Sequence, residues 1–303
     1  MIVRPKLHWL RMLFVWRGSV LPVIAPQLIA TTAFAVLVTL LHGSILSWKV
    51  SLNFVPFSLI GVTLAIFLGF RNSTAYARYW EARTLWGSIL IETRTLTRQA
   101  LTLTNAPAQA PQLVYRLCAF VHALRHQLRG SDPQTELAAF LSPAECSRLT
   151  QARFPAAMAL LMANEWLGEQ LRHGHVAPTT IPAFERSLAQ LSIAVGGCER
   201  IASTPIPFTY SVIIHRSIYL YCFWLPFGLL DTIDLMTPVI VCFIAYTFFA
   251  LEALGAELED PCGHEPNDLA LTGMSHMIES SMLDMLGEPA RTTKPVAHDY
   301  ILP

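Results

Sequence analysis

Val62, Ile66 and Phe70 recur every four residues in a charge-free stretch that runs straight into Arg71, Arg78 and Arg83. Four-residue spacing places the three bulky groups on one face of a helix. The work such a stripe can do is physical and not covalent: repeated around an axis, it forms a constriction that gates ions by dewetting. Packing against other helices or lipid accounts for the same spacing equally well. Gly61, Ala65 and Gly69 form a second stripe about 100° away, and small residues spaced this way let helix backbones approach closely in a membrane.

Other residues with chemical potential are more scattered. Asp231 and Asp234 sit together in a short turn between apolar runs, where carboxylates around a pore mouth would enrich cations. His173-Gly-His175 and Cys262-Gly-His264 lack a partner pair at zinc spacing and read as loop residues. No G-x-S-x-G, phosphate loop or H-E-x-x-H motif is present, so an enzyme is not expected. The six cysteines form no C-x-x-C pair and read as free thiols facing a reducing compartment.

The elements that must hold these residues follow from hydropathy and charge. Hydrophobic residues make up 53% of the 303-residue chain and charged ones only 14%, against roughly a quarter in soluble domains, which points to lipid. Net formal charge is zero, so no nucleic-acid partner is expected. Charge-free runs of 31 and 21 positions flank Lys49, each long enough for a span, since about 20 residues cross a bilayer. Spans are expected at about 20–41 and 54–70. Two further spans are expected within 211–256, joined by the turn that carries Asp231 and Asp234, with Arg216 snorkelling at the membrane edge.

Arginines and lysines cluster before the first span and after the second, so the positive-inside rule places both termini and the central region in the cytoplasm. The expected layout is residues 1–70 with two spans, a helical cytosolic region 71–210, two spans within 211–256 and a cytosolic segment 257–303. Within the central region, helices are expected at about 72–104, 113–128, 156–172 and 183–202, with Ser142 and Glu145 as a capping box. No alternating run bounded by turns occurs, which makes the fold class all-α.

Three ordered motifs carry a family resemblance. Gly69-Phe70-Arg71-Asn72 leads to Ala77-Arg78-Tyr79-Trp80-Glu81; Gly197-Cys198-Glu199-Arg200-Ile201 leads to Thr204-Pro205-Ile206-Pro207-Phe208; Glu259-Asp260-Pro261 precedes Asn267-Asp268-Leu269. From about residue 10 to 290 the chain resembles the bestrophins, including their prokaryotic members. The resemblance implies a homopentameric ion channel in the bacterial inner membrane, with one central pore and three apolar rings that fall on Val62, Ile66 and Phe70. It implies a second, cytosolic aperture near Ala177-Pro178-Thr179-Thr180-Ile181, formed by Thr179 or Ile181. Eukaryotic members bind Ca²⁺ after the fourth span. Here only Glu257, Asp260, Glu265 and Asp268 match that cluster, against the six to eight oxygens that Ca²⁺ takes, so no cofactor is expected and Ca²⁺ at these carboxylates is the alternative. Expected partners are further copies of the chain, membrane lipid and monovalent ions. The outer carboxylates lean the expectation toward Na⁺ or K⁺, with an anion channel and a non-conducting scaffold as alternatives.

Overall fold

The computed structural model describes residues 1–5, 8–42, 44–45, 48–49, 52 and 54–303. Lys6, counted in the charge bias above, lies outside the described residues. The charge-free runs become helices because in lipid a backbone must satisfy its own hydrogen bonds. In chain order the helices are α1 (Trp9–Met12), α2 (Leu21–Leu40), α3 (Phe54–Thr102), α4 (Ala110–Arg129), α5 (Gln134–Leu137), α6 (Pro143–Thr150), α7 (Pro155–Arg172), α8 (Ile181–Ser203), α9 (Phe208–Ile233), α10 (Thr237–Glu259) and α11 (Leu271–Leu286).

One detail departs from an all-α reading. Strands β1 (Ser44–Ile45) and β2 (Trp48–Lys49) pair antiparallel between α2 and α3. Two residues per strand are too few for a period of two to show in a sequence. The helix expected from Asn72 is not a separate element either. No proline follows Pro56 inside α3, so the second span continues as one helix of 49 residues, about 74 Å long.

The chain forms two compact units, one of 5–79 with 205–260 and one of 1–4, 80–204 and 261–303. Along α3 the division falls after Tyr79, nine residues beyond the expected end of the span at Phe70. The reason is that Arg71 and Arg78 are both held by Glu259 of the first unit.

In the first unit, Leu64 and Leu68 of α3 pack with Ile24 and Ala35 of α2, Ile218 and Leu225 of α9, and Val241 and Ala245 of α10. Its outer surface is also apolar: Leu37, Leu59, Leu220 and Phe243 are all exposed. Three helical stretches, 21–40, 55–102 and 208–259, are long and apolar enough to cross a membrane. The last consists of α9 and α10, joined by a single 3₁₀ turn at Asp234–Met236.

The second unit has α4 at its centre, buried almost continuously from Leu113 to Arg125 and packed by α7 and α11. The capping box is formed as expected: Glu145 N donates to Ser142 Oγ, and Ser142 N donates to Glu145. Helix α11 was not expected, because its buried face mixes Ile278, Met282 and Leu283 with Ser275 and Glu279. Glu279 is fully buried. It accepts from the backbone N–H groups of Arg291 (2.7 Å) and Thr292 (2.9 Å) and from the Thr292 hydroxyl, and lies 2.8 Å from His122 Nε2. Burial pushes its pKa up, but the hydrogen bonds from His122 and Thr292 outweigh that and hold it at about 2. Glu136, bonded to His126 and Arg125, is held at about 2 against the same opposing effect.

Candidate ion pathway

Helix α3 places the stripe. Residues four apart advance 400°, so Leu64 and Leu68, two residues from Val62 and Ile66, project from nearly the opposite side. Leu64 and Leu68 are buried against the unit's other helices, whereas Val62, Ile66 and Phe70 are 59%, 53% and 64% exposed. The three side chains therefore point away from their own subunit's core. They are presented to whatever lies beyond a single chain.

The small-residue stripe divides. Gly61 lies against α9, where a Cβ would sit 2.8 Å from the Tyr221 hydroxyl, while Ala65 is exposed and Gly69 faces open space. A four-residue stripe drifts about 40° per step, which carries Gly69 round from the packed flank toward the outward face. Of the three, Gly61 alone packs closely among the described residues.

Directly below Phe70 the first unit holds a buried charge. Arg71, 5% exposed, places Nη2 3.4 Å from Glu259 Oε2. Glu259 Oε1 also accepts from Ile206 N (3.0 Å), and its carbonyl accepts from Arg78 Nε (3.1 Å). The same junction brings Asn72 Nδ2 to the Leu251 carbonyl (3.0 Å). Gly255 permits that approach, since a Cβ there would lie 2.3 Å from Asn72 Oδ1. Glu259 is the pairing position at this junction that the sequence reading passed over as a site residue in favour of its neighbours. The available signal was Arg71 at the end of a charge-free span, because a buried arginine demands a counter-charge.

The other candidates are placed as follows. Thr179 is exposed within the 3₁₀ turn Pro178–Thr180, and Ile181, half-buried, opens α8. Asp231 and Asp234 are exposed at the α9–α10 turn, where Asp234 has a positive φ of 45°. Glu257 and Asp260 lie at the end of α10 in the first unit. In the second unit, buried Asp268 accepts from Glu265 N (2.7 Å) and shapes a turn there. Among the described residues, no three His, Cys, Asp or Glu side chains are grouped so as to hold a metal ion. Arg200 pairs with Glu81 in the second unit, both exposed.

A family model described as bacterial/fungal bestrophin protein matches residues 1–284. The chain belongs to the bestrophin family. A voltage-dependent anion channel-forming protein of Ralstonia nicotianae is 48% identical over the whole of both chains. A protein of the same description from Escherichia coli K12, YneE, is 43% identical over 95% of each. A crystal structure of a bacterial bestrophin homolog from Klebsiella pneumoniae superposes with a TM-score of 0.85, at 38% identity, over 88% of this chain and 99% of that one. This bestrophin is thus an integral membrane protein of helical fold, as its motifs implied. Bestrophins are ion channels, which bears out the reading that the chain is not an enzyme. The expected cation preference, by contrast, finds no support in the names of the Ralstonia and Escherichia relatives, which specify anions.

Proposed function

We propose that the protein is a homopentameric channel for small monovalent ions, with Val62, Ile66 and Phe70 of five α3 helices forming its narrow neck. The observation that carries this reading is the outward stripe itself: three large apolar groups turned away from the subunit core, on the helix opposite its packed face. Apolar rings impose a dehydration barrier and supply no Coulomb preference, so charge selectivity is set elsewhere along the path. Ala65 and Gly69, exposed beside the stripe, suit close packing against a neighbouring copy. Four spans with both termini in the cytoplasm accord with the positions of α2, α3, α9 and α10. The exposed Thr179 and the neighbouring Ile181 are then the candidates for a cytosolic aperture. The scattered carboxylates Glu257, Asp260, Glu265 and Asp268 would supply any Ca²⁺ site.

For the sign of the ion, the names of the relatives favour anions, and we take that as the leading reading. A cation preference is the second reading, favoured by the exposed Asp231 and Asp234 at the α9–α10 turn. The deciding experiment is the reversal potential of the purified protein in a planar bilayer under asymmetric KCl. Movement toward the chloride equilibrium potential supports the first reading and movement toward that of potassium the second. Silence from correctly inserted oligomers would favour a scaffold and overturn both.

A further inference from the structure

A groove of about 940 Å³ opens between α2 and α9 in the first unit, lined by Gln27, Ala30 and Phe34 on one side and by Arg216, Leu220 and Phe223 on the other. Its volume falls within the range of about 300–1,000 Å³ typical of small-molecule sites. The two ends differ in chemistry. At one, Phe34 stacks on Phe223 with ring centroids 4.8 Å apart; at the other stand Gln27, His215 and Arg216. Pro26 to Phe34 is eight helical steps, so the groove runs for about 12 Å from its polar end to its aromatic end.

The charges at the polar end are unequally matched. His215 Nδ1 lies 2.6 Å from Glu252, and Arg71 is held by Glu259. The exposed Arg216 guanidinium makes no hydrogen bond or ion pair among the described residues. Of the carboxylates on α10, Glu252 and Glu259 are thus engaged with these other partners. Arg216 lies eight residues, about 12 Å, along α9 from Phe208 and about 26 Å from Ile233. At that depth its side chain can reach the headgroup layer on the Phe208 side of a bilayer.

We infer that this groove is a binding site for an anionic phospholipid, with its phosphate on Arg216 and an acyl chain lying along Ala30, Leu220 and the Phe34–Phe223 stack. A cationic mouth above an apolar floor matches an amphiphile carrying one negative headgroup, and basic pockets between membrane helices recognise such lipids. A zwitterionic lipid offers the same chain with less net attraction.

The test is native mass spectrometry of the intact oligomer with palmitoyl-oleoyl phosphatidylglycerol or the matching phosphatidylcholine. Wild type should retain the anionic phosphatidylglycerol preferentially. Arg216→Gln should weaken that preference by about tenfold, the scale of one charge-assisted contact, and Arg216→Lys should retain most of it. Ala30→Trp, which fills the groove, should lower retention of both lipids. Equal retention of the two lipids by wild type, or an unchanged preference in Arg216→Gln together with unchanged retention in Ala30→Trp, would overturn the assignment. A cryo-electron-microscopy map with a neighbouring subunit's helix seated in the groove would overturn it too. Lipid retention requires no current, so failure here is distinguishable from failure of the channel reading.

Discussion

The two units solve burial in opposite ways. In the first, α3 buries the narrow stripe Leu64, Leu68, Arg71 and Ala75, and turns Val62, Ile66, Phe67 and Phe70 outward. In the second, the same helix buries Trp86, Ile89, Leu96 and Ala100 and exposes Glu81, Arg83 and Arg98. Backbone hydrogen bonding is the same throughout, so the contrast reports the surroundings each half is built for. An apolar exterior is stable only against lipid or another apolar surface, whereas an ordinary soluble surface keeps its charges in water. The second unit also places its most demanding polar group, Glu279, at its centre.

The largest effect that would sharpen this contrast is expected at Glu279. Glu279→Ala should destabilise the protein by about 3–5 kcal/mol, because it strands His122 and the Arg291 and Thr292 donors in a buried site. Thermal unfolding of detergent-purified protein checks this, and a loss near zero would remove Glu279 from the set of structural supports.

A pair of substitutions on one helix comes next. Leu68→Ala should cost about 2–5 kcal/mol as a cavity forms in the first unit's core. Ile66→Ala, on the outward face, should cost well under that and instead raise single-channel conductance. Equal stability losses for both, or an unaltered current in Ile66→Ala, would break the assignment of inner and outer faces.

At the junction below the outward stripe, Gly255→Val should cost about 1–3 kcal/mol by driving its side chain into Asn72. A melting temperature matching wild type would show that Asn72 can swing aside freely.

Acid should act on the second unit through its carboxylates. Glu279 and Glu136 titrate at about 2 in the folded protein, below the ordinary carboxylate value of about 4.3, so their stabilisation is complete above that value. It is lost as pH falls from there toward 2. Unfolding followed from pH 6 to pH 2 should show stability declining below about 4.5, with a smaller decline in Glu279→Gln. The smallest effect is expected at the exposed Arg200–Glu81 pair, where Glu81→Gln should change stability by less than about 1 kcal/mol. A larger loss would mean that the pair is covered in the assembled oligomer.

The sequence by itself determined α2, the start of α3, and α9 and α10 to within a few residues, because a charge-free run of about 20 positions has few alternatives in lipid. It determined the capping box at Ser142, a purely local device, and the family, through three ordered motifs. Spacing alone also put Val62, Ile66 and Phe70 on one face. Which way that face points was a tertiary matter: burial of Leu64 and Leu68 against α2, α9 and α10 turns the stripe outward, and no local pattern records a helix's rotation about its own axis. The partner of Arg71 lies 188 residues away at Glu259, a pairing set by packing and invisible to periodicity. The buried face of α11 was hidden for a related reason: Glu279 and Ser275 are acceptable inside only because His122, Arg125 and the 291–292 backbone meet them there.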